Sequence, residues 1–397
     1  MLLASDLGPL TLGVEEEYLV VDAATRDLVP RANHLLSVAR QTLGAEVEPE
    51  LNRCQIEVGT PVCTTLGNVA GHLDRLRAGL RVAGDDIGLR ALPLATHPTG
   101  DWREQQVDLD NPRYAHMDDV YRMVARQQVI CGCHVHVGIE DRDLAIATMN
   151  RCRAWLPPLL ALSANSPFWQ GVDSGFDSYR LQVWQRWPTS GMPPDLANAA
   201  EYDELVRELV AMDAIEDATF LYWYARPSAR YPTVEFRLCD VCIDVMDTVV
   251  LAGLIRALAW TCAREAIRDQ PMLVHRPEVM EAAVWRAGRY GLDGDLISPI
   301  DLTCRPAAEV IGMLLEHVQV GLDVHGDLEL VTAGVEAMLA RGNGATFQRA
   351  VLAATGSELA VVDAVAERAA VGVVPAEAAF APTWSGDQTM APIRPAS

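Results

Sequence analysis

An acidic run inside an apolar segment near the amino terminus sets the first constraint on the architecture: Gly13-Val14-Glu15-Glu16-Glu17-Tyr18-Leu19-Val20-Val21-Asp22. The apolar and β-branched residues around the carboxylates predict a β-strand, in which successive side chains point to opposite faces of a sheet. Glu15 and Glu17 then share one face, and Glu16 lies on the other with Val14 and Tyr18. Two neighbouring carboxylates near a buried sheet repel each other and lose hydration, so we expect a positive group between them. Taken alone, the run fits an exposed edge strand with solvated charges equally well.

Three later segments show the same alternation of polar and apolar residues. Their polar groups, in chain order, are Gln55 and Glu57, then His134 and His136, then Glu235 and Arg237. If helices cover the apolar face of one sheet, all these groups line a cleft on its other face. Carboxylates at close range raise one another's pKa unless cations compensate them. Oxygen ligands with an occasional imidazole favour Mg²⁺ or Mn²⁺ over zinc.

One of these segments has the composition of a zinc motif: Cys131-Gly132-Cys133-His134-Val135-His136. In a strand, however, the two cysteines point to one face and the two histidines to the other, so one tetrahedral site cannot collect all four. A histidine within a strand is commonly a satisfied core residue. That reading is weaker here, because three acidic strands are available to meet the histidines.

The composition excludes several classes of function. The chain has 397 residues, 50% of them hydrophobic, and a formal net charge of −22 at pH 7. This acidity argues against general binding to nucleic acid or anionic membranes, although a local arginine cluster or a metal could still receive a small anion. The sequence contains no lysine. A Schiff-base lysine, a Walker A loop and a kinase-type phosphate lysine are therefore excluded, and any phosphate chemistry must use arginines and metal ions.

The cysteine pattern and the absence of sorting signals predict a cytoplasmic protein. The nine cysteines are scattered without the spacing of a secreted scaffold, and residues 1–12 lack the basic region of a signal peptide. The longest apolar stretch, 245–263, is interrupted by Asp247 and Arg256. It predicts a buried helix and not a membrane span.

The order of the predicted elements indicates one catalytic α+β domain over residues 1–373. Strands, including a candidate at 218–224, crowd the first part of the chain, and helices with short loops occupy 247–368. The end of the chain is rich in Pro, Ala and Ser without periodicity, which predicts a disordered tail at 374–397.

A long non-periodic segment at 163–194 is dense in aromatic residues and arginine. Arg180 and Arg186 are candidates for binding phosphate or carboxylate groups, and the aromatic rings could stack on a base or exclude water. The alternative is a packed surface loop with structural cation–π pairs.

Several strings recur in a recognisable order: Gly13-Val14-Glu15-Glu16-Glu17-Tyr18, Cys133-His134-Val135-His136-Val137-Gly138, Ser166-Pro167-Phe168-Trp169 with Asp173-Ser174-Gly175, Arg186-Trp187-Pro188-Thr189-Ser190-Gly191, and Val234-Glu235-Phe236-Arg237. Together they resemble the YbdK-type carboxylate–amine ligases, also called glutamate–cysteine ligase type 2. The resemblance runs from about residue 11 to about residue 370. The joint pattern is specific, whereas any single string is weak.

This resemblance implies a fold related to glutamine synthetase and the guanidino kinases. In that fold a curved, mostly antiparallel sheet has helices packed on one face and the active site on the other. It also implies ATP with Mg²⁺ (or Mn²⁺), and amide-bond formation through an acyl-phosphate with release of ADP and phosphate. The metal ligands that it implies are Glu15, Glu17, Glu57, His134 and Glu235. The catalytic and nucleotide-binding arginines are Arg237, Arg180 and Arg186, and His136 matches a family string without an assigned role.

The residues alone indicate only a metal-dependent enzyme that acts on an anionic substrate. The ligase activity is predicted from the resemblance. We expect small-molecule carboxylate and amine substrates, nominally glutamate and cysteine, and no nucleic-acid or membrane partner. Three alternatives stay open: a metal-dependent amide or phosphoester hydrolase, a natural-product amide ligase with other substrates, and a non-catalytic binding module. An exposed edge strand could mediate a homodimer.

Overall fold

The computed structural model describes residues 7–372, so the predicted tail at 374–397 lies outside the described residues. In this range the β-strands are β1 (Leu12–Asp22), β2 (Val47–Pro49), β3 (Gln55–Gly59), β4 (Leu89–Leu92), β5 (Gly132–Gly138), β6 (Phe168–Trp169), β7 (Val172–Asp173), β8 (Ala225–Pro227), β9 (Thr233–Asp240), β10 (Asp295–Ile297) and β11 (Cys304–Pro306). The α-helices are α1 (Ala32–Leu43), α2 (Leu66–Asp85), α3 (Pro112–Tyr121), α4 (Met123–Arg126), α5 (Arg142–Cys152), α6 (Leu156–Ser163), α7 (Tyr179–Trp184), α8 (Ala199–Ala211), α9 (Val245–Ile267), α10 (Pro277–Tyr290), α11 (Ala307–His325), α12 (Leu328–Arg341), α13 (Gly344–Thr355) and α14 (Glu358–Ala369).

A seven-stranded sheet is built around β1. The strand order is β2-β3-β1-β5-β9-β8, and β4 also pairs with β1. β3 lies along one side of β1, while β5 and β4 share the other side, β5 opposite the first half of β1 and β4 opposite its end. All these pairings are antiparallel. The predicted α+β fold with a mostly antiparallel sheet is therefore confirmed.

The two faces of β1 bury different kinds of side chain, as strand alternation predicts. Tyr18 and Val20 point to the face that α1 and α2 cover, where they pack in one cluster with Leu35 and Leu76. Val14 joins a second cluster on the same face. Removal of this apolar surface from water stabilises the sandwich of sheet and helices and leaves the opposite face for polar groups.

Helix α9 is the central helix of the helical layer and contacts α2, α5, α11 and α12. Among the described residues it is the one helix that is long and apolar enough to cross a membrane. However, 83% of its most apolar 18-residue stretch is buried inside the fold. Arg256 is fully buried in this helix and donates hydrogen bonds to Asp327 and, at 2.8 Å, to the Thr64 carbonyl oxygen. α9 therefore packs as the core helix that the sequence predicts.

Two predicted segments differ from the structure. The strand predicted at 218–224 is wrong: the chain forms a 3₁₀ turn at Ala218–Phe220, and the strand β8 begins only at Ala225. The segment 163–194, predicted without regular structure, contains the short helix α7 and the hairpin of β6 and β7. Elements of two to six residues are too short to show a hydrophobic period, so pattern analysis misses them.

Candidate active site

The register of the sheet brings polar groups from four strands together on one face. The facing pairs are Glu17 with Glu57, Glu15 with His134, and His136 with Glu235. Each of these residues is at most 7% exposed. Glu16 points the other way, into the helical layer, where it pairs with Arg77. The structure thus collects the predicted carboxylates and both histidines in one buried cluster.

Glu15 is shared by two groups of side chains that could each hold a metal ion. Triad A consists of Glu15, Glu57 and His134, and triad B of Glu15, His136 and Glu235. In each triad, one ligand atom per residue lies within 4.8 Å of the others. His134 Nδ1 lies 3.2 Å from Glu15 Oε2, and His136 Nε2 lies 3.4 Å from Glu15 Oε1. The two oxygens of one carboxylate therefore face two different histidines.

Both histidines have a ring nitrogen that the protein leaves unsatisfied. Nε2 of His134 and Nε2 of His136 are buried without a hydrogen-bond partner. Nδ1 of His136 forms a 3.0 Å hydrogen bond with the Thr233 hydroxyl, which fixes the ring and leaves Nε2 for triad B. Because buried polar atoms are normally paired, the free Nε2 of His136 fits a ligand of triad B. The free Nε2 of His134 faces Glu17, whereas its Nδ1 faces triad A.

Glu17, predicted as a metal ligand, belongs to neither triad. Its Oε2 accepts a 2.5 Å hydrogen bond from the backbone N–H of Gly132, and its Oε1 lies 3.5 Å from His134 Nε2. The pairing of β5 with β9 shifts register here, so that two residues of β9 lie opposite His134. Glu17 thus ties β1 to β5 and adds negative charge beside triad A.

A cleft that is open to solvent, called the cavity below, lies against this face of the sheet. Besides the acidic cluster, its walls carry the arginines Arg113, Arg226, Arg230 and Arg237. Arg226 Nε donates to Glu235 Oε2 at 2.9 Å, while its Nη1 donates to two backbone carbonyl oxygens at 2.7 Å. Arg237 also donates to Glu235. Arginines and carboxylates therefore share one cavity, which suits a polyanion bound together with divalent cations.

Of the three arginines predicted to be catalytic, Arg237 lines the cavity, and Arg180 and Arg186 are not among its lining residues. Arg180 is 1% exposed and donates to backbone carbonyl oxygens of β9 at 3.2 and 3.3 Å. It packs so closely on Gly132 that a Cβ there would lie 2.1 Å from Arg180 Nη2. Arg186 donates to Gln127 Oε1 at 2.6 Å. The structure gives Arg180 and Arg186 packing contacts in place of the ligand contacts that the sequence predicts.

The tryptophans of the same segment reach the cavity instead. Trp184 and Trp187 line it together with Tyr222, and the rings of Trp187 and Tyr222 stack with 4.7 Å between their centroids. Arg180 lies four positions before Trp184 on α7, so both share one face of that helix. The guanidinium carbon of Arg180 lies 5.4 Å from the Trp184 ring centroid, and that of Arg237 lies 5.3 Å from it. Arg180 therefore supports a ring that lines the cavity.

The cluster holds protons near neutral pH. Burial, together with the nearby Glu15, Glu50 and Glu17, raises the pKa of Glu57 well above its usual range. Burial and the charge of Glu17 raise the pKa of Glu50, on the cavity wall, to about 7. Burial and the neighbouring Arg237 lower the pKa of His134 to about 4, so its imidazole is neutral. A divalent cation would take over the charge compensation that protons supply here.

Binding of Mg²⁺ to the nucleotide-free protein at pH 6.5 should release about one proton per chain, because a cation displaces protons from carboxyls with raised pKa values. Apparent Mg²⁺ affinity should therefore rise with pH up to the pKa of about 7 of Glu50 and then level off. Calorimetric titration in buffers of different ionisation enthalpy measures the released protons. Glu57→Gln should release fewer, and a proton count near zero for the unmutated protein would contradict this reading of the cluster.

Known relatives cover almost the whole chain. The sequence profile of glutamate–cysteine ligase family 2 matches residues 11–368. A Streptomyces coelicolor protein provisionally named glutamate–cysteine ligase 2 is 42% identical over 365 residues, which are 90% of this chain and 98% of that protein. A Nocardia farcinica protein provisionally named glutamate–cysteine ligase 2-1 is 40% identical over 338 residues, 85% of this chain and 88% of that protein. The chain spans 45% of a longer Frankia casuarinae protein, provisionally named glutamate–cysteine ligase 2-2, at 40% identity over 391 residues.

Two solved structures share the fold. The glutamate–cysteine ligase of Francisella tularensis, determined in complex with AMP, matches with a TM-score of 0.70 and 12% identity over 93% of this chain and 91% of that chain. A bifunctional glutathione synthetase from Pasteurella multocida matches with a TM-score of 0.64 and 16% identity over 91% of this chain and 52% of that chain. At these identities the likeness concerns the arrangement of sheet and helices, and it agrees with the predicted fold class.

Proposed function

The chain belongs to glutamate–cysteine ligase family 2, a family of carboxylate–amine ligases, and we propose that it joins a carboxylate to an amine at the expense of ATP. The observation that carries the proposal is the position of Glu15 in both triads, facing a cavity with four arginines on its walls. The substrate carboxylate would attack the γ-phosphorus of ATP, giving an acyl-phosphate and ADP. The amine would then attack the acyl carbon and displace phosphate. Glutamate and cysteine are the proposed pair.

The donor set of the cluster fits divalent cations of the Mg²⁺ or Mn²⁺ type. Carboxylate oxygens dominate both triads, each triad adds one imidazole, and the unsatisfied Nε2 of His136, 3.4 Å from Glu15 Oε1, supports a role as a ligand. We propose one cation in each triad, held by Glu15, Glu57, His134, Glu235 and, as an addition from the structure, His136. Such cations neutralise the charge of the ATP phosphates.

The remaining residues of the cavity balance charge, orient ligands and exclude water. Arg226 contacts Glu235 with Nε and Nη2, at 2.9 and 3.3 Å, and so orients a ligand of triad B. Arg237 lies at the same carboxylate and, in a chain without lysine, is our candidate for balancing the phosphoryl group in transfer. Trp184 and Trp187 would shield the acyl-phosphate from hydrolysis.

The products distinguish this proposal from its alternatives. The protein is incubated with ATP, Mg²⁺, glutamate and cysteine, and ADP, AMP and phosphate are followed, with hydroxylamine added in parallel to trap an acyl-phosphate as the hydroxamate. We expect amine-dependent release of ADP and phosphate. Release of AMP and pyrophosphate would contradict the acyl-phosphate route, and turnover without ATP would indicate a hydrolase. If this pair is inactive, a screen of amino acids for stimulated phosphate release identifies the true pair.

Replacement of Arg237 by lysine should lower kcat by about 100-fold, because lysine keeps the charge but loses the planar, forked donor geometry. Arg186→Lys is the matched control, since Arg186 contacts Gln127 and lies outside the cavity lining. Its kcat should stay within about threefold of the unmutated value. Steady-state kinetics of both variants measures the difference. Equal losses of kcat in the two variants would indicate that Arg186 is a catalytic residue as well.

Several broader expectations are proposals as well. We propose that residues 1–373 form one catalytic domain, which the family match over 11–368 supports. We further propose a cytoplasmic enzyme that acts on small molecules without nucleic-acid or membrane partners. A homodimer could form through an edge of the sheet, at β2 or β8.

A further inference from the structure

A second cluster of metal-binding side chains lies among the helices, on elements other than those that carry the triads. Cys262 and Glu265 lie three positions apart on α9, and His317 lies on α11; one ligand atom of each lies within 4.8 Å of the other two. The Cys262 thiol also contacts the thiol of Cys152, the last residue of α5. We propose that Cys152, Cys262, Glu265 and His317 form a structural zinc site that joins α5, α9 and α11.

Close packing of α11 on α9 explains why these residues meet. Gly321 of α11 lies against the backbone of α9, where a Cβ would come within 2.6 Å of the Ala257 carbonyl oxygen. His317 lies one turn before Gly321 on α11 and therefore meets α9 one to two turns further along, at Cys262 and Glu265. The two α9 residues share one helical face because they are three positions apart.

His317 is held in the state that a metal requires. Its ring stacks on Trp155, with 4.4 Å between the centroids and an angle of 12° between the planes. Its Nδ1 lies 3.8 Å from Glu265 Oε1, while its Nε2 is buried without a hydrogen-bond partner. Burial lowers the pKa of His317 to about 4, so the imidazole is neutral and keeps a lone pair for a cation. His317, Glu265 and Cys262 thus supply three ligand atoms that lie close together, and the Cys152 thiol, in contact with that of Cys262, is our candidate for the fourth ligand of a tetrahedral zinc site.

The charges of the proposed site balance. Two thiolates and one carboxylate around Zn²⁺ leave one negative charge. Arg151 Nη1 lies 3.8 Å from Glu265 Oε2, and this nitrogen is itself buried without a hydrogen-bond partner. Its positive charge would neutralise the site through its contact with the ligand Glu265. Binding converts both thiols to thiolates, so that two S–Zn bonds replace two S–H bonds and the two protons pass to solvent.

The chemistry of the donors selects zinc and not the cation of the triads. Thiolate ligands favour Zn²⁺, whereas Mg²⁺ and Mn²⁺ favour oxygen. Cys152 and Cys262 are at most 1% exposed, but the side chain of Glu265 is 24% exposed, which gives the ion a route from solvent. The site would cross-link three helices that pack behind the sheet, and its role would be in stability.

Cobalt titration of the reduced, chelator-treated full chain tests the proposal. Co²⁺ should bind at about one ion per chain with an intense thiolate-to-metal absorption band, which added Zn²⁺ abolishes. Zn²⁺ should also raise the midpoint of thermal unfolding. The double variant Cys152→Ser with Cys262→Ser should lose the band, whereas Cys304→Ser, at an exposed cysteine outside the cluster, should keep it. Oxygen and imidazole ligands give no such band, so the result is independent of the ligase activity.

Two further variants distinguish a loss of zinc binding from a loss of the fold. Glu265→Gln and His317→Gln should each weaken Zn²⁺ binding by about 100-fold or more while circular dichroism stays native. Absence of the thiolate band from the unmutated protein, or its persistence in the double variant Cys152→Ser with Cys262→Ser, would overturn the proposal. So would a Cys152–Cys262 disulfide in protein purified under reducing conditions without bound zinc.

Discussion

Glu15→Gln is expected to lower turnover by about a thousandfold or more and to leave the fold intact. Glu15 is the one residue common to triads A and B, and each of its oxygens faces a different histidine. The amide removes one negative charge from both triads and presents an N–H donor to one of the cations. Steady-state release of ADP measures turnover, and Mg²⁺ titration followed by unfolding midpoints measures cation binding.

Variants that each remove a ligand from only one triad provide the comparison for Glu15→Gln. Glu57→Gln removes a ligand from triad A, and Glu235→Gln removes one from triad B. Each should weaken Mg²⁺ binding less than Glu15→Gln does, because one triad stays complete. Glu208→Gln, at an exposed position on α8, is the matched control and should behave as the unmutated protein. Near-normal turnover and Mg²⁺ affinity of Glu15→Gln would refute the assignment of both triads.

Strand alternation accounts for the part of the site that sequence analysis predicted. Whether a side chain faces the cavity or the helices depends on its position within one strand, which is a local property of period two. This placed Glu15 and Glu17 on one face and Glu16 on the other without knowledge of the pairing. The same rule separated His134 and His136 from Cys133, which the structure buries in an apolar cluster with Val14. It fails for Cys131, which precedes β5 and packs with Leu19 and Val21 on the other face of β1.

The site residues that sequence analysis did not predict depend on contacts between distant segments of the chain, which no local sequence pattern shows. Arg226 lies on a strand of three residues, too short to show alternation, and its importance comes from its contact with Glu235 across the sheet. His136 matched a family string, but its partnership with Glu235 follows from register. Sequence analysis proposed Arg180 as a ligand-binding residue, whereas in the structure Trp184, one turn later on α7, lines the cavity, and no local pattern distinguishes the two positions.

Glu16→Ala should have the opposite consequence from Glu15→Gln: a large loss of stability with the cation site retained. Glu16 is fully buried, and Arg77 contacts both of its oxygens, with Nη2 2.6 Å from Oε1 and Nε 2.9 Å from Oε2. Thr248 of α9 donates to Oε1 at 2.6 Å, and Tyr18 donates to Oε2. Removal of the carboxylate leaves the Arg77 charge buried and unpaired, which typically costs about 3–5 kcal/mol.

Urea unfolding with and without Mg²⁺ separates this effect from the chemistry of the cavity. The free energy of unfolding of Glu16→Ala should fall by about 3–5 kcal/mol, while the increment that saturating Mg²⁺ adds stays as in the unmutated protein. The double variant Glu16→Leu with Arg77→Met should recover much of the loss, because apolar side chains of similar volume can replace a buried ion pair. A loss below about 1 kcal/mol in Glu16→Ala would mean that the pair is not needed to join β1 to α2. Loss of the Mg²⁺ increment instead would mean that the two faces of β1 are coupled, because Glu16 would then position Glu15 and Glu17 through the strand that they share.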